Sequence, residues 1–138
     1  NRDDKTVSLL YIDLDHFKAI NDTYGHMVGD AVLIRTADIL AASFREDFVT
    51  RLGGDEFLVV RLGDCPISQL EQAAESFLKE IQEDFEVDGQ TVPMSASVGI
   101  AQTNDPMLDI DLLLQRGDKA LYRAKKAGRN RCCVYNGE

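Results

Sequence analysis

The stretch TVSLLYIDLD, residues 6–15, constrains the fold more than any other part of the chain. From Val7 to Ile12 it is apolar except for Ser8. A strand with one wet face alternates apolar and polar residues, whereas a near-continuous run suits a strand covered on both faces. This stretch is therefore expected to lie centrally in a sheet. It ends on Asp13 and Asp15, which period-two alternation points to the same face. A carboxylate at the end of a buried strand is costly unless it is paired or holds a metal.

The remaining segments build around that strand. HFKAINDTYGHMVGD reads as a short helical piece and then a loop punctuated by glycines. In AVLIRTADILAASF, residues Val32, Leu33, Thr36, Ile39 and Leu40 recur at helical spacing, with Asp30 as the expected N-cap. DFVTRL and FLVVRL are strands on either side of a Gly-Gly turn, which predicts a hairpin. CPISQLEQAAESFLKEIQEDF predicts a second long helix. EVDGQTVPMSASVGIAQT predicts strand, Asp88-Gly89 turn and strand. DIDLLLQRGDKALYRAKKAGRN predicts a last helix with Ile110, Leu113, Leu114, Leu121 and Ala124 on one side, closed by Gly128. CCVY predicts a final edge strand. Hairpins mixed with helices give an α+β fold, a largely antiparallel central sheet flanked by helices. With no linker or repeat, residues 1–138 are read as one domain, cut from a longer protein.

A net charge of −9 argues against a broad nucleic-acid surface, which needs a basic face. It does not argue against binding a nucleotide through a few placed cations. Cys65, Cys132 and Cys133 lack metal-ligand spacing and suit free thiols in a reducing cytoplasm. No stretch of the sequence is long and apolar enough to span a bilayer.

A hairpin turn does not require the two adjacent acids in RLGGDEF, Asp55 and Glu56. If the hairpin lies beside the first strand, they meet Asp13 and Asp15 at one edge of the sheet. Converging carboxylates repel, and a hard divalent cation such as Mg²⁺ or Mn²⁺ relieves the repulsion. Each acid also has a plainer role, since Gly-Asp is ordinary turn chemistry and Asp caps helices.

YIDLDHFKAINDTYGHMVGD, RLGGDEF and ALYRAKKAGRNR, in this order, resemble the signature stretches of the GGDEF family of bacterial diguanylate cyclases. The resemblance covers nearly the whole chain. It implies a fold similar to the palm of nucleotidyl cyclases and polymerases. It also implies joining two GTP molecules into cyclic di-GMP with release of pyrophosphate. Asp13, Asp55 and Glu56 become the catalytic acids. The metal ligands become Asp13, the Leu14 carbonyl, Asp55 and Glu56, holding two Mg²⁺ or Mn²⁺ ions. Asn21 and Asp30 become the guanine-reading pair, with a helix cap as the other role for Asp30. Lys125 and Arg129, at i and i+4 on the last helix, become the phosphate-binding pair. Lys18 and the backbone N–H groups of His16 and Phe17 become a further phosphate contact. Lys126 and Arg131 are read as complements to the helix dipole. His26 is read as structural, and Met27 and Tyr122 as core or pocket wall. Arg51 either orients the hairpin acids or is a surface charge.

Two departures from the family pattern stand out. The inhibitory Arg-x-x-Asp site carried by many members corresponds here to FRED, with Phe44 in place of Arg and Asp47 retained. Arg45 is one residue out of register, about 100° around a helix. Weak or absent feedback inhibition is expected. The family's domain usually opens with a helix before the NR of Asn1 and Arg2, so that helix and a sensory or regulatory partner are expected upstream of this sequence. A second copy of the domain is needed for a product made from two GTPs. The rival readings are a module that binds GTP or cyclic di-GMP without turnover, a related palm enzyme with another nucleotide, and a purely structural module.

Overall fold

The computed structural model describes residues 6–105 and 107–137. Asn1 and Arg2 lie outside them. The elements run β1 (Val7–Leu14), α1 (Phe17–Tyr24), α2 (His26–Ser43), β2 (Phe48–Gly53), β3 (Glu56–Leu62) and α3 (Ile67–Ile81). They continue as β4 (Phe85–Val87), β5 (Gln90–Val92), β6 (Ala96–Thr103), α4 (Ile110–Lys126) and β7 (Arg131–Val134). The α+β expectation holds. The main sheet has the order β2-β3-β1-β6-β7, with β1 in its centre. β1 is antiparallel to both β3 and β6, and only β7 runs parallel to its neighbour β6.

Alternation along β1 divides the core in two. Leu10, Ile12 and Leu14 point into a large cluster with Val32, Leu40, Leu70 and Phe77 from the α2 and α3 side. Leu9 points the other way, into a smaller cluster with Leu58, Ala101 and Leu113 under α4. Both faces of β1 are covered, which is why its run of apolar residues is nearly continuous.

Three boundaries differ from the sequence expectation. The stretch after α1 is not a loop: only Gly25, at φ 95°, breaks the chain, and α2 begins at His26. Asp30 therefore lies inside α2 and does not cap it. The strand after the Asp88-Gly89 turn is two strands, since β5 pairs only with β4 and β6 crosses the main sheet. The last helix stops at Lys126 and Gly128 closes it as expected, but Gly128, Arg129 and Asn130 all take positive φ. Arg129 is thus off the helix, in a left-handed turn. In α4, Leu113, Leu121 and Ala124 are buried as expected, but Ile110 is exposed. No helix among the described residues is long and apolar enough to cross a membrane.

Candidate active site

The two acid clusters meet because β3 pairs with β1. Asp13 stands directly opposite Glu56 in the ladder. The turn at Gly54 and Asp55 is drawn onto the end of β1, where the Leu14 N–H donates to the Asp55 carbonyl at 3.1 Å. The Asp55 carboxylate lies against that of Asp13. From the other side, Lys125 of α4 forms an ion pair with Asp13 Oδ2. The second oxygen, Asp13 Oδ1, is buried and has no hydrogen-bond partner among the described residues. Burial first, and then Asp55, push the Asp13 carboxyl up to about 6, against the opposing pull of Lys125.

Glu56 is held separately. The Tyr11 phenol, two residues before Asp13, donates to Glu56 Oε1 at 3.1 Å. Burial, followed by the Glu56 charge, pushes that phenol up to about 12, so it remains a proton donor. Sequence reading missed Tyr11 because a Tyr in a buried strand looks like core. Its role follows only from the register with β3.

The Asp15 carboxylate is engaged elsewhere. It accepts from the Ser97 hydroxyl at 2.7 Å, the Ser95 hydroxyl at 2.6 Å and the Asn130 N–H at 3.0 Å. It fastens the left-handed turn carrying Arg129 to the end of β1.

An orphaned buried carboxylate oxygen with a second carboxylate against it fits a hard cation. Among the described residues, no three acidic, His or Cys side chains converge as a ready ligand group. A cation here would complete its shell with backbone carbonyl, water or substrate oxygens, as Mg²⁺ commonly does.

A second cluster lies where α1 packs on α2. Asn21 of α1 rests against Gly29 of α2, the residue before Asp30. His16, at φ 57°, precedes α1, so the Phe17 and Lys18 N–H groups open that helix. The Lys18 side chain is exposed and pairs with Asp22 at 3.3 Å.

The family profile described as "Diguanylate cyclase, GGDEF domain" matches residues 1–131. The chain belongs to the GGDEF domain family. The bifunctional diguanylate cyclase/cyclic di-GMP phosphodiesterase MucR of Pseudomonas aeruginosa is 39% identical over 136 residues, covering 97% of this chain and 20% of MucR. Diguanylate cyclase A of Treponema denticola is 40% identical over 129 residues, covering 92% of this chain and 34% of that protein. The chain thus spans only a fifth to a third of these relatives. The GGDEF domain of DgcB from Caulobacter crescentus, solved with c-di-GMP, superposes with a TM-score of 0.88. That match has 29% identity and covers 94% of this chain and 78% of the other. The active GGEEF domain of a diguanylate cyclase from Vibrio cholerae gives 0.87 at 33% identity, covering 97% and 85%.

In this GGDEF domain the FRED segment is built into the scaffold. Phe44 is 2% exposed and packs in the main core. Asp47 receives a fork from Arg61 of β3, with Nε and Nη2 at 2.9–3.2 Å. The Asp47 hydrogen bonds raise the Arg61 guanidinium still further above its ordinary value. Arg45 is exposed. Arg51 is also exposed, but its Nε donates to the Gly54 carbonyl at 2.9 Å and so braces the GGDEF turn.

Met27, expected as core or pocket wall, is not core but exposed. Tyr122 is 60% exposed and, as expected of a pocket wall, lines a cavity of about 420 Å³ with Asp118 and Lys125, under Lys126. His26 opens α2 and is exposed. Arg131 donates to the Arg129 carbonyl within the turn rather than sitting at the helix end. Cys65, Cys132 and Cys133 are free thiols.

Proposed function

We propose that this GGDEF domain is a diguanylate cyclase. In each of two steps, a 3′-hydroxyl oxygen of one GTP attacks the α-phosphorus of the other. The bond from that phosphorus to the β-phosphate bridging oxygen breaks, pyrophosphate leaves with the electron pair, and the hydroxyl proton is released to solvent. The observation that carries this reading is Asp13 Oδ1, buried and unpartnered, with the Asp55 carboxylate against it.

Asp13, Asp55, Glu56 and the Leu14 carbonyl would hold two Mg²⁺ or Mn²⁺ ions. When bound, these ions would neutralise triphosphate charge and make the 3′-hydroxyl easier to deprotonate. The protein's own contribution is mostly positioning and electrostatics, which dominate phosphoryl-type transfer. Tyr11 fixes the Glu56 carboxylate. Lys125 and Arg129 offer cationic donors to the phosphates, Lys125 from the last turn of α4 and Arg129 from the turn that Asp15 secures. Lys18 and the N–H groups near His16 and Phe17 form an anion site at the start of α1. Asp30 accepts from the guanine N1–H and exocyclic amine, with Asn21 beside it. Adenine lacks the N1 proton and would leave Asp30 unpaired, at a cost in affinity.

One GTP site per domain makes the active species a homodimer with its two sites facing each other. An upstream regulatory segment of the longer protein would govern that pairing, in the cytoplasm where GTP is available. The test is turnover by concentrated protein with GTP and Mg²⁺, following both pyrophosphate and cyclic di-GMP. Product from the wild type but not from Asp55→Ala supports the cyclase. GTP binding with no product, even in a fusion that forces dimers, makes the domain a binding module.

A further inference from the structure

We propose that Gly29 is a specificity-positioning residue: its missing side chain gives the Asn21 amide its place beside Asp30, and so sets the fit of the guanine base. This rests on the cyclase reading above. Gly29 is buried within α2 and its φ is not positive, so the backbone does not require glycine there. Glycine in a helix interior is less stable than alanine. The reason for it must therefore be space. A Cβ at position 29 would overlap Asn21 Oδ1 and lie 2.9 Å from its Cγ and 3.5 Å from its Nδ2. The amide occupies the volume that any side chain at 29 would take. All three close atoms belong to Asn21, and none belongs to the backbone or core.

What the amide does there is not internal. Neither the Asn21 amide nor the Asp30 carboxylate hydrogen-bonds a side chain or backbone group among the described residues. An amide whose oxygen end seats at Gly29 and whose polar atoms no group among the described residues uses, one residue from an exposed carboxylate, offers mixed donors and acceptors to a flat polar edge. A purine that presents both N–H donors and a carbonyl suits that set. A Cβ at 29 displaces the amide from that set without touching Asp30.

The effects on stability and on binding should then have opposite signs. Gly29→Ala should keep or raise the melting temperature. It should raise KM for GTP roughly tenfold, the scale of a hydrogen bond lost to a base, with little change in kcat. KM for ATP should barely move, so the preference for GTP narrows. The decisive measurement is the double variant. In an Asn21→Ala background, Gly29→Ala should add no further loss, because the group it displaces is gone. Losses that add, or an unchanged KM in Gly29→Ala, overturn the inference. If Gly29→Ala does not fold, Asn21→Ala/Gly29→Ala should recover folding, and failure to recover overturns it equally. A wild type that prefers GTP yet ignores Gly29→Ala defeats this inference alone. A wild type that neither binds nor turns over GTP defeats the cyclase reading and this inference together.

Discussion

Asp13 is destabilising when charged and no metal ion is present, because it is buried beside Asp55 and Lys125 only partly offsets that. Its carboxyl titrates near 6 in the folded protein against 3.8 ordinarily. Between those values the native state binds more protons than the unfolded chain, so stability falls as pH rises through this window. The stabilising contribution is complete below 3.8 and lost above about 6. Melting curves should show this fall in wild type and not in Asp13→Asn. Mg²⁺ competes with the same proton, so its stabilising effect should be larger above about pH 6 than below it. At the FRED segment, Asp47→Ala should leave cyclic di-GMP affinity unchanged, since Arg61 already occupies that carboxylate. It should also lower stability by about 1 kcal/mol through the lost fork. Isothermal titration and urea denaturation check the two halves. A marked drop in product affinity would show that Asp47 serves the ligand after all. Asp13, Asp55 and Glu56 were legible because acids beside apolar strands conflict with burial. Tyr11 was not, because it acquires Glu56 only through the pairing of β1 with β3; Arg61 was not, because no motif marks its reach across the foot of the hairpin to Asp47.

The element that completes the site is α4, and glycines bring it close. A Cβ at Gly99 of β6 would overlap the Gly117 carbonyl and the Leu121 N–H and lie 2.8 Å from the Leu121 Cα. These are backbone atoms, so Gly99→Ala can be relieved only by moving α4 off the sheet. The expected loss is about 1–3 kcal/mol in urea denaturation. Turnover should fall further than stability explains, because the same shift carries Lys125 away from Asp13. Unaltered turnover in folded Gly99→Ala would mean that Lys125 does not need its present distance. Helices and the hairpin were legible from period and turn residues. Their ends were less so, since a glycine has different meanings by context. Gly25 breaks a helix through its φ, whereas Gly29 sits inside one to clear a neighbour. The Arg129 correction has the same origin: helical spacing was extended through Gly128, where the chain turns left-handed. Sequence reading also did not separate β5 from β6, although Pro93 between them removes a backbone donor and interrupts the ladder, leaving a short, mostly exposed strand before a long buried one.

For the whole molecule, the proposed chemistry needs two domains and the charge opposes their meeting. Each copy carries a net charge of −9. Two such copies repel over a distance set by the Debye length, about 10 Å at 0.1 M salt. At low protein concentration, the rate of cyclic di-GMP formation should therefore rise with the square of protein concentration. Added salt should raise it at first by screening the encounter. Salt also weakens contacts from Lys125 and Arg129 to a triphosphate, so one titration mixes two effects. A fusion to a parallel coiled coil separates them. In the fusion the rate should become linear in protein, and salt should then only lower it. The difference between the two salt profiles isolates the encounter of the domains. A linear rate from the unfused domain at concentrations where sedimentation shows a monomer would defeat the two-domain mechanism, because one monomer holds only one Asp13–Asp55 site for its GTP.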